Sequence, residues 1–167
     1  VEAMTMGDRV AVMKDGVLMQ VDSPLNLYDH PNNLFVAGFI GSPAMNLLKG
    51  KVVAGGVQIG DYVVPVSREV LAKAGDTATI GIRPEHLTIS ATGEGVAVDV
   101  SVIEELGADG NVYGTLAGLS EDAKLTATQL VARTHSRSDA HRGQTVRFGI
   151  DQSRMHVFND TTQDRIS

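Results

Sequence analysis

Alternation of apolar and polar residues dominates the chain after about residue 46 and predicts a succession of short β-strands. In the clearest case, Val96, Val98, Val100 and Val102 alternate with small or polar residues, which is the pattern of a strand buried on one face. The other predicted strands are 48–53, 57–59, 62–66, 77–83, 87–90, 111–117, 125–134, 145–150 and 155–158. Ser67 is placed to cap one short helix at 68–73. Short strands with frequent glycine turns are typical of a closed or sandwiched antiparallel β domain.

The first 46 residues have a different pattern. Apolar runs at 10–14 and 17–21 flank Asp15 and Gly16, and Asp-Gly between two such runs predicts a tight β-hairpin. Short helices are predicted at 2–9, 25–29 and 32–40, the second of them begun by Ser23 and Pro24. Much of this apolar surface has no obvious partner before residue 45, so we expect it to pack on a larger domain.

These patterns divide the chain into three parts. Residues 1–46 form an α+β segment, residues 47–160 a mainly β domain, and residues 161–167 a polar, flexible tail. Aromatic residues make up 4% of the chain and tryptophan is absent, so aliphatic side chains must fill the core. No apolar run approaches the roughly 20 residues needed to cross a bilayer.

The charge balance argues against nucleic acid as a partner. The chain has 14 basic and 20 acidic residues, a net charge of −6, and no basic cluster. Proteins that bind nucleic acid usually present a basic face to the phosphates, with aromatic rings for stacking on single strands. There is no cysteine, which excludes disulfides and thiolate metal sites.

No set of residues has the spacing of a catalytic, cofactor or metal site. A phosphate-binding loop is absent, and the glycines at 55–56 and 93–95 lie in predicted β loops rather than before a helix. Of five histidines, only His135 and His141 are close in sequence, in a polar loop that favours solvent exposure over metal binding. Glu104 and Glu105 are neighbours on a strand and point to opposite faces. The serine- and acid-rich segments 120–122 and 136–139 are assigned to loops.

Several stretches resemble the ATP-binding subunits of bacterial ABC importers for sugars, of the maltose, multiple-sugar and glycerol-phosphate type. These stretches are 1–16, 20–31 and 33–46, followed by 81–86, 102–107 and 148–158. The resemblance implies an OB-like regulatory domain, often called a transport-associated OB (TOBE) domain, preceded by the end of an ATPase domain. The ATPase motifs of that family would all lie before Val1. We therefore expect that this chain is not an enzyme and holds no cofactor, whereas the parent subunit uses ATP and Mg²⁺.

The same resemblance implies the role and the partners. The domain would serve regulation and dimerisation on the cytoplasmic side of the membrane. Its partners would be a second copy of the ATPase subunit, the membrane subunits reached through the ATPase domain, and in some relatives a regulatory protein. An alternative from a different class is a domain that senses a small ligand, an oxyanion or a sugar phosphate, through loop side chains. The sequence shows no concentrated anion-binding nest.

The family motif at 81–86 supplies the candidate site residues Gly81, Arg83, Pro84, Glu85 and His86. We interpret it first as a structural corner, in which Pro84 breaks a strand while Arg83 and Glu85 pair with each other or bind backbone. The alternative is contact with a partner protein. Gly81 is expected where a side chain would block close approach of another strand or of a partner.

Overall fold

The computed structural model describes residues 4, 5, 7–135 and 139–167. The helix predicted at 2–9 lies partly outside these residues, as does the loop predicted at 136–139. In chain order the strands are β1 Val10–Lys14, β2 Val17–Asp22, β3 Asn46–Val53, β4 Gly56–Ile59, β5 Tyr62–Pro65, β6 Thr77–Ile82, β7 Leu87–Ser90, β8 Val96–Glu105, β9 Gly110–Leu116, β10 Leu130–Thr134, β11 Thr145–Ile150 and β12 His156–Asn159. The helices are α1 Pro24–Asp29, α2 Leu34–Phe39, α3 Arg68–Leu71 and α4 Glu121–Thr126, and a 3₁₀ turn spans Pro84–His86.

The first region, which we call the N-terminal segment, comprises the described residues up to 45. Strands β1 and β2 form the predicted hairpin, and both turn residues, Asp15 and Gly16, have positive φ. Helix α1 begins as predicted, because the Ser23 hydroxyl accepts a hydrogen bond from the Asn26 amide at 3.2 Å and Pro24 occupies the first turn. No helix among the described residues is long and apolar enough to cross a membrane.

The second region, which we call the β-sandwich, begins at β3. It contains two five-stranded antiparallel sheets, ordered β12-β6-β3-β4-β5 and β10-β9-β8-β11-β7. One core lies between them, and its fully buried side chains come from both sheets: Val57, Ile59, Val64, Ile80 and Ile82 from the first, and Val96, Val98, Val112, Leu130 and Phe148 from the second. The predicted mainly β, OB-like antiparallel fold is therefore confirmed.

Asn46 connects the two sheets at the start of the β-sandwich. Its side chain is 3% exposed. The amide nitrogen donates to the carbonyl oxygens of Val131 at 2.8 Å and Ile82 at 3.1 Å, and the amide oxygen accepts from the Val131 N–H at 2.7 Å. The Asn46 side chain thus links strand β10, at the edge of one sheet, to strand β6 of the other. It satisfies the backbone N–H and carbonyl of Val131 that an edge strand would otherwise leave unpaired.

Two strand predictions are wrong in part. The strand predicted at 125–134 is helix α4 followed, after a short loop, by the shorter strand β10; Ser120 caps the helix by accepting from the Ala123 amide at 3.2 Å. The alternation in β8 holds from Val96 to Val100, but Val102 is half exposed. A bulge between Val100 and Val102 shifts the register, and an extra residue moves the following side chains to the other face.

The last residues pair with both regions, which corrects the expectation of a flexible tail at 161–167. The Leu34 amide donates to the Gln163 carbonyl at 3.0 Å, and the Arg165 amide donates to the Asn32 carbonyl at 2.8 Å. On the other side, the Ile166 amide donates to the Val157 carbonyl at 2.8 Å. The polar composition misled the prediction because these contacts use backbone groups, which the side-chain pattern does not report.

Candidate functional site

The five predicted site residues lie where the β-sandwich meets the N-terminal segment. Gly81 is in β6, an interior strand of its sheet, and the chain then turns through the 3₁₀ turn, closed by the His86 amide donating to the Arg83 carbonyl at 3.0 Å. Pro84 occupies the first position of this turn, where its fixed φ is compatible and its missing N–H is not needed. The corner that Pro84 makes at the end of β6 places Arg83 against the ends of α1 and α2.

Arg83 is buried and binds backbone carbonyls of the N-terminal segment. It is 2% exposed. Its Nη2 donates to the Tyr28 carbonyl at 2.9 Å, and its Nη1 donates to the Ile40 carbonyl and, at 3.5 Å, to that of Ala37. The guanidinium also lies 4.1 Å from the centroid of the Tyr28 ring, within the range of a cation–π contact. Burial lowers the pKa of Arg83, while nearby Tyr28, Glu85 and Asp29 oppose that shift.

Glu85 binds the N-terminal segment at the same place. The Tyr28 hydroxyl donates to the Glu85 carboxylate. Burial, and then the hydrogen bond and charge of Glu85, raise the pKa of Tyr28 to about 12, so the phenol stays protonated and remains a donor at neutral pH. Of the two arrangements expected for Arg83 and Glu85, the structure shows contacts with the N-terminal segment; no ion pair between them is found among the described residues.

Gly81 allows the two regions to pack closely. A Cβ atom at this position would lie 2.7 Å from the Met45 sulfur and 2.8 Å from the Phe158 ring. Met45 and Phe158 form a small buried cluster with Ala37 of helix α2. The groups that a side chain at residue 81 would strike therefore belong to this chain itself.

A polar cavity of about 110 Å³ adjoins this junction. Its wall is formed by Tyr28, Asp29, His30, Arg83, His86, Ser153, Arg154 and His156. Burial lowers the pKa of His156 to about 4, with smaller contributions from Arg165, His30 and Arg83. The histidines do not form a metal site: no group of three or more His, Asp or Glu side chains in the described ranges could hold a metal ion.

The sequence did not indicate the cavity residues outside the motif. His30 lies far along the chain from Arg154 and His156, and the fold brings these two segments together with the motif. No local signal in the sequence marks these residues as neighbours. The carboxylate of Glu104, the other acidic candidate, accepts from Asn111 at 2.9 Å and from the Tyr113 hydroxyl at 3.2 Å, as expected of a strand-end residue.

Comparison with known proteins gives two matching domain models. Residues 41–87 match the MalK OB fold domain, and residues 80–158 match the TOBE domain. The two matches overlap at 80–87, the segment that contains all five candidate site residues. They also share one sheet, because β12 of the second match pairs with β6 of the first.

The chain is also similar to curated ATP-binding proteins of uptake systems. It is 47% identical to the diacetylchitobiose uptake system ATP-binding protein of Streptomyces coelicolor, over 100% of this chain and 48% of the relative. It is 39% identical to an sn-glycerol-3-phosphate import ATP-binding protein of Psychromonas ingrahamii, over 99% of this chain and 44% of the relative. It is 42% identical to the osmoprotective compounds uptake ATP-binding protein of Synechocystis, over 95% of this chain and 44% of the relative. The chain thus spans about half the length of these relatives.

Proposed function

We propose, from the premise that this chain carries a MalK OB fold domain and a TOBE domain, that it is the regulatory and dimerisation part of the ATP-binding subunit of a carbohydrate ABC importer. The TOBE domain is a regulatory domain, and the relatives are ATP-binding subunits. The parent subunit would hydrolyse ATP with Mg²⁺ to drive uptake. The chain described here would contribute contact surfaces and no catalysis.

The observation that carries this proposal is the buried connection through Arg83. One guanidinium binds the carbonyls at the ends of both α1 and α2, while the backbone of Arg83 continues from the interior strand β6 of the sandwich. A hydrogen bond to a charged group is worth about 1.5–3 kcal/mol, so the connection resists small displacements. A protein that binds the sandwich would therefore also influence the N-terminal segment, as a regulatory domain requires.

The N-terminal segment has several exposed apolar side chains. Met13, Val17, Leu18 and Leu25 are each more than half exposed, and so is Phe39. An exposed apolar surface of this kind marks an interaction site. We assign it to contact with the ATP-hydrolysing part of the subunit, through which the membrane subunits would be reached on the cytoplasmic side.

Dimerisation through the sandwich would keep two ATP-binding subunits together between cycles of closing and opening. A tether raises the effective concentration of one subunit near the other, so opening need not lead to dissociation. A regulatory protein bound to the same domain would act through its different affinities for the open and closed states.

Sedimentation equilibrium of the chain at about 10–100 μM tests this proposal. We expect self-association that Val102→Glu, on the sandwich, weakens and that Leu18→Glu, on the hairpin, leaves unchanged; both positions are about half exposed, so folding should tolerate either change. Calorimetry should show no binding of Mg-ATP. A monomer throughout this range, or a dimer lost only in Leu18→Glu, would contradict dimerisation through the sandwich.

Small-ligand sensing is the second candidate function. The observation in its favour is the polar cavity beside Arg83, whose wall contains residues from both regions. A ligand there would contact the regulatory junction directly.

A further inference from the structure

The cavity beside Arg83 has the chemistry of an anion site. Two guanidinium groups, those of Arg83 and Arg154, lie in its wall with a single carboxylate, that of Asp29. His30, His86 and His156 add three imidazoles and Ser153 adds a hydroxyl. Arginine is well suited to bind oxyanions, because its N–H groups form charge-assisted hydrogen bonds. Both Nη atoms of Arg83 already donate to carbonyls, so Arg83 would offer its Nε and Arg154 its planar fork.

Two residues of the wall carry buried nitrogen atoms that could donate to or accept from a ligand. Arg83 Nε and His86 Nδ1 are both buried, and neither has a hydrogen-bond partner among the described residues. Buried polar atoms are rarely left unpaired, and each such atom needs a water, an ion or another ligand. The cavity adjoining them, at about 110 Å³, has room for several waters or one small oxyanion.

The electrostatic setting agrees with this chemistry. Burial, and then Arg165, His30 and Arg83, lower the pKa of His156 to about 4, while Asp29 opposes the shift. The cavity thus disfavours an additional positive charge. The positive charges of the arginines would favour an anion, which must offset the cost of burial.

We propose that this cavity binds a tetrahedral oxyanion, inorganic phosphate or the phosphoryl group of a small metabolite, between Arg83 and Arg154. The bound anion would contact His30 on one side and the loop from Ser153 to His156 on the other. It would thereby join the N-terminal segment to the β-sandwich. A ligand that binds only the joined arrangement stabilises it by mass action, which makes the cavity an effector site. This proposal rests on the small-ligand candidate function and stands independently of dimerisation.

Histidine-resolved NMR of the 167-residue chain, titrated with sodium phosphate at pH about 6.5 and constant ionic strength, tests it. We expect saturable shifts of the His30, His86 and His156 ring signals, with those of the exposed His141 unchanged. Saturating phosphate should also raise the measured pKa of His156, because an adjacent anion favours the imidazolium.

Arg154→Gln is the decisive variant, because Arg154 lies on the surface and its loss should not disturb folding. Loss of one charge-assisted hydrogen bond, worth about 1.5–3 kcal/mol, should weaken phosphate binding about tenfold or more. Arg142→Gln, at a surface arginine outside the cavity, is the matched control and should bind as the parent chain does.

Further titrations identify the source of the anion. Sulfate and a phosphate monoester are compared with inorganic phosphate: preference for the free ion identifies phosphate or sulfate, and preference for the monoester identifies a phosphorylated metabolite. Shifts that do not saturate, that follow ionic strength alone, or that are the same in Arg154→Gln would overturn the proposal, since the cavity would then hold only water.

Discussion

The two regions of this chain are stabilised in different ways. Among the described residues, nineteen buried apolar residues form the core of the β-sandwich, with side chains from both of its sheets. The N-terminal segment has a cluster of only four, Val12, Leu27, Val36 and Ile40, while Met13, Val17, Leu18 and Leu25 remain exposed. The sandwich thus has a core large enough to stabilise its own fold, whereas the N-terminal segment depends for its stability on the groups that it contacts.

The contacts that support the segment are few and specific. Arg83 and Glu85 bind it through Tyr28 and the ends of α1 and α2. Ala37 packs in the cluster with Met45 and Phe158, and the C-terminal residues add backbone hydrogen bonds. A junction made of a few buried polar contacts can therefore couple a stable domain to a less stable one.

Replacement of Arg83 should change the difference in stability between the two regions more than any other substitution proposed below. In Arg83→Met the buried carbonyls of Tyr28 and Ile40 lose their donors, at about 1–3 kcal/mol each. We expect the free energy of local opening of the segment to fall by about 3 kcal/mol, which speeds native-state proteolysis within residues 7–45 about a hundredfold. Cleavage within residues 46–135 should not change.

Two further variants control this prediction. Arg83→Lys keeps the charge but cannot bind two carbonyls with one planar group, so its effect should be intermediate. Arg142→Met, at a surface position, should match the parent chain. Equal cleavage rates in Arg83→Met and the parent chain would show that Arg83 does not hold the segment.

Asn46→Leu should weaken the sandwich itself. The substitution leaves the N–H and the carbonyl of Val131 unpaired in a buried site, which costs about 1–3 kcal/mol for each group. We expect the free energy of unfolding to fall by about 3 kcal/mol in urea titrations, with the whole sandwich affected. Asn32→Leu, at a surface asparagine, is the control, and an equal loss in both variants would refute a special role for Asn46.

Gly81→Ala tests whether the close packing at the motif is structural. The new methyl group would strike Met45 and Phe158, and overpacking of this kind costs about 1–3 kcal/mol. We expect a lower melting temperature with self-association unchanged among folded molecules. Gly75→Ala, where a Cβ meets nothing within 4 Å, should show no such loss. Normal stability with impaired self-association would instead assign Gly81 to a partner contact.

The smallest effect concerns pH. The pKa of His156 is about 4 in the folded chain against 6.5 ordinarily, so the unfolded chain binds a proton first as pH falls. The stability due to neutral His156 is therefore complete above pH 6.5 and is lost between pH 6.5 and 4. Because the side chain is partly open to solvent, we expect a loss of about 1–2 kcal/mol.

His156→Gln should remove this part of the pH dependence, measured by urea unfolding at a series of pH values in buffers without phosphate. His141→Gln changes an exposed histidine and should retain it. If the free energy of unfolding of the parent chain and of His156→Gln changed with pH in the same way, His156 would not be the cause of this pH dependence.

Local sequence signals predicted most of the fold. The Asp15-Gly16 turn, the Ser23 cap and the boundaries of β7 and β11 were all found from residues within a few positions of each other. The errors occurred where tertiary context overrides local pattern. The bulge in β8, for example, turned Val102 outward. Helix α4 is an exception, because its start carries a local signal that the prediction missed: a serine cap at Ser120 followed by the acidic residues Glu121 and Asp122.

The site was predictable only in part for the same reason. The motif at 81–86 identified Arg83 and Glu85, but their partners Tyr28, Ala37 and Ile40 lie more than 40 residues away along the chain. Contacts of this range leave no periodicity or spacing to detect in one sequence. The cavity depends on three such distant segments, so only the folded structure could show it.

Native-state hydrogen exchange, resolved by residue, tests the central claim that Arg83 couples two regions of unequal stability. In the parent chain we predict lower opening free energies for the amides of Leu27, Ala37 and Ile40 than for those of Leu48 and Ile80. In Arg83→Met the difference should widen by about 3 kcal/mol, with the sandwich amides unchanged. A single opening free energy shared by all five amides, in both proteins, would contradict the account.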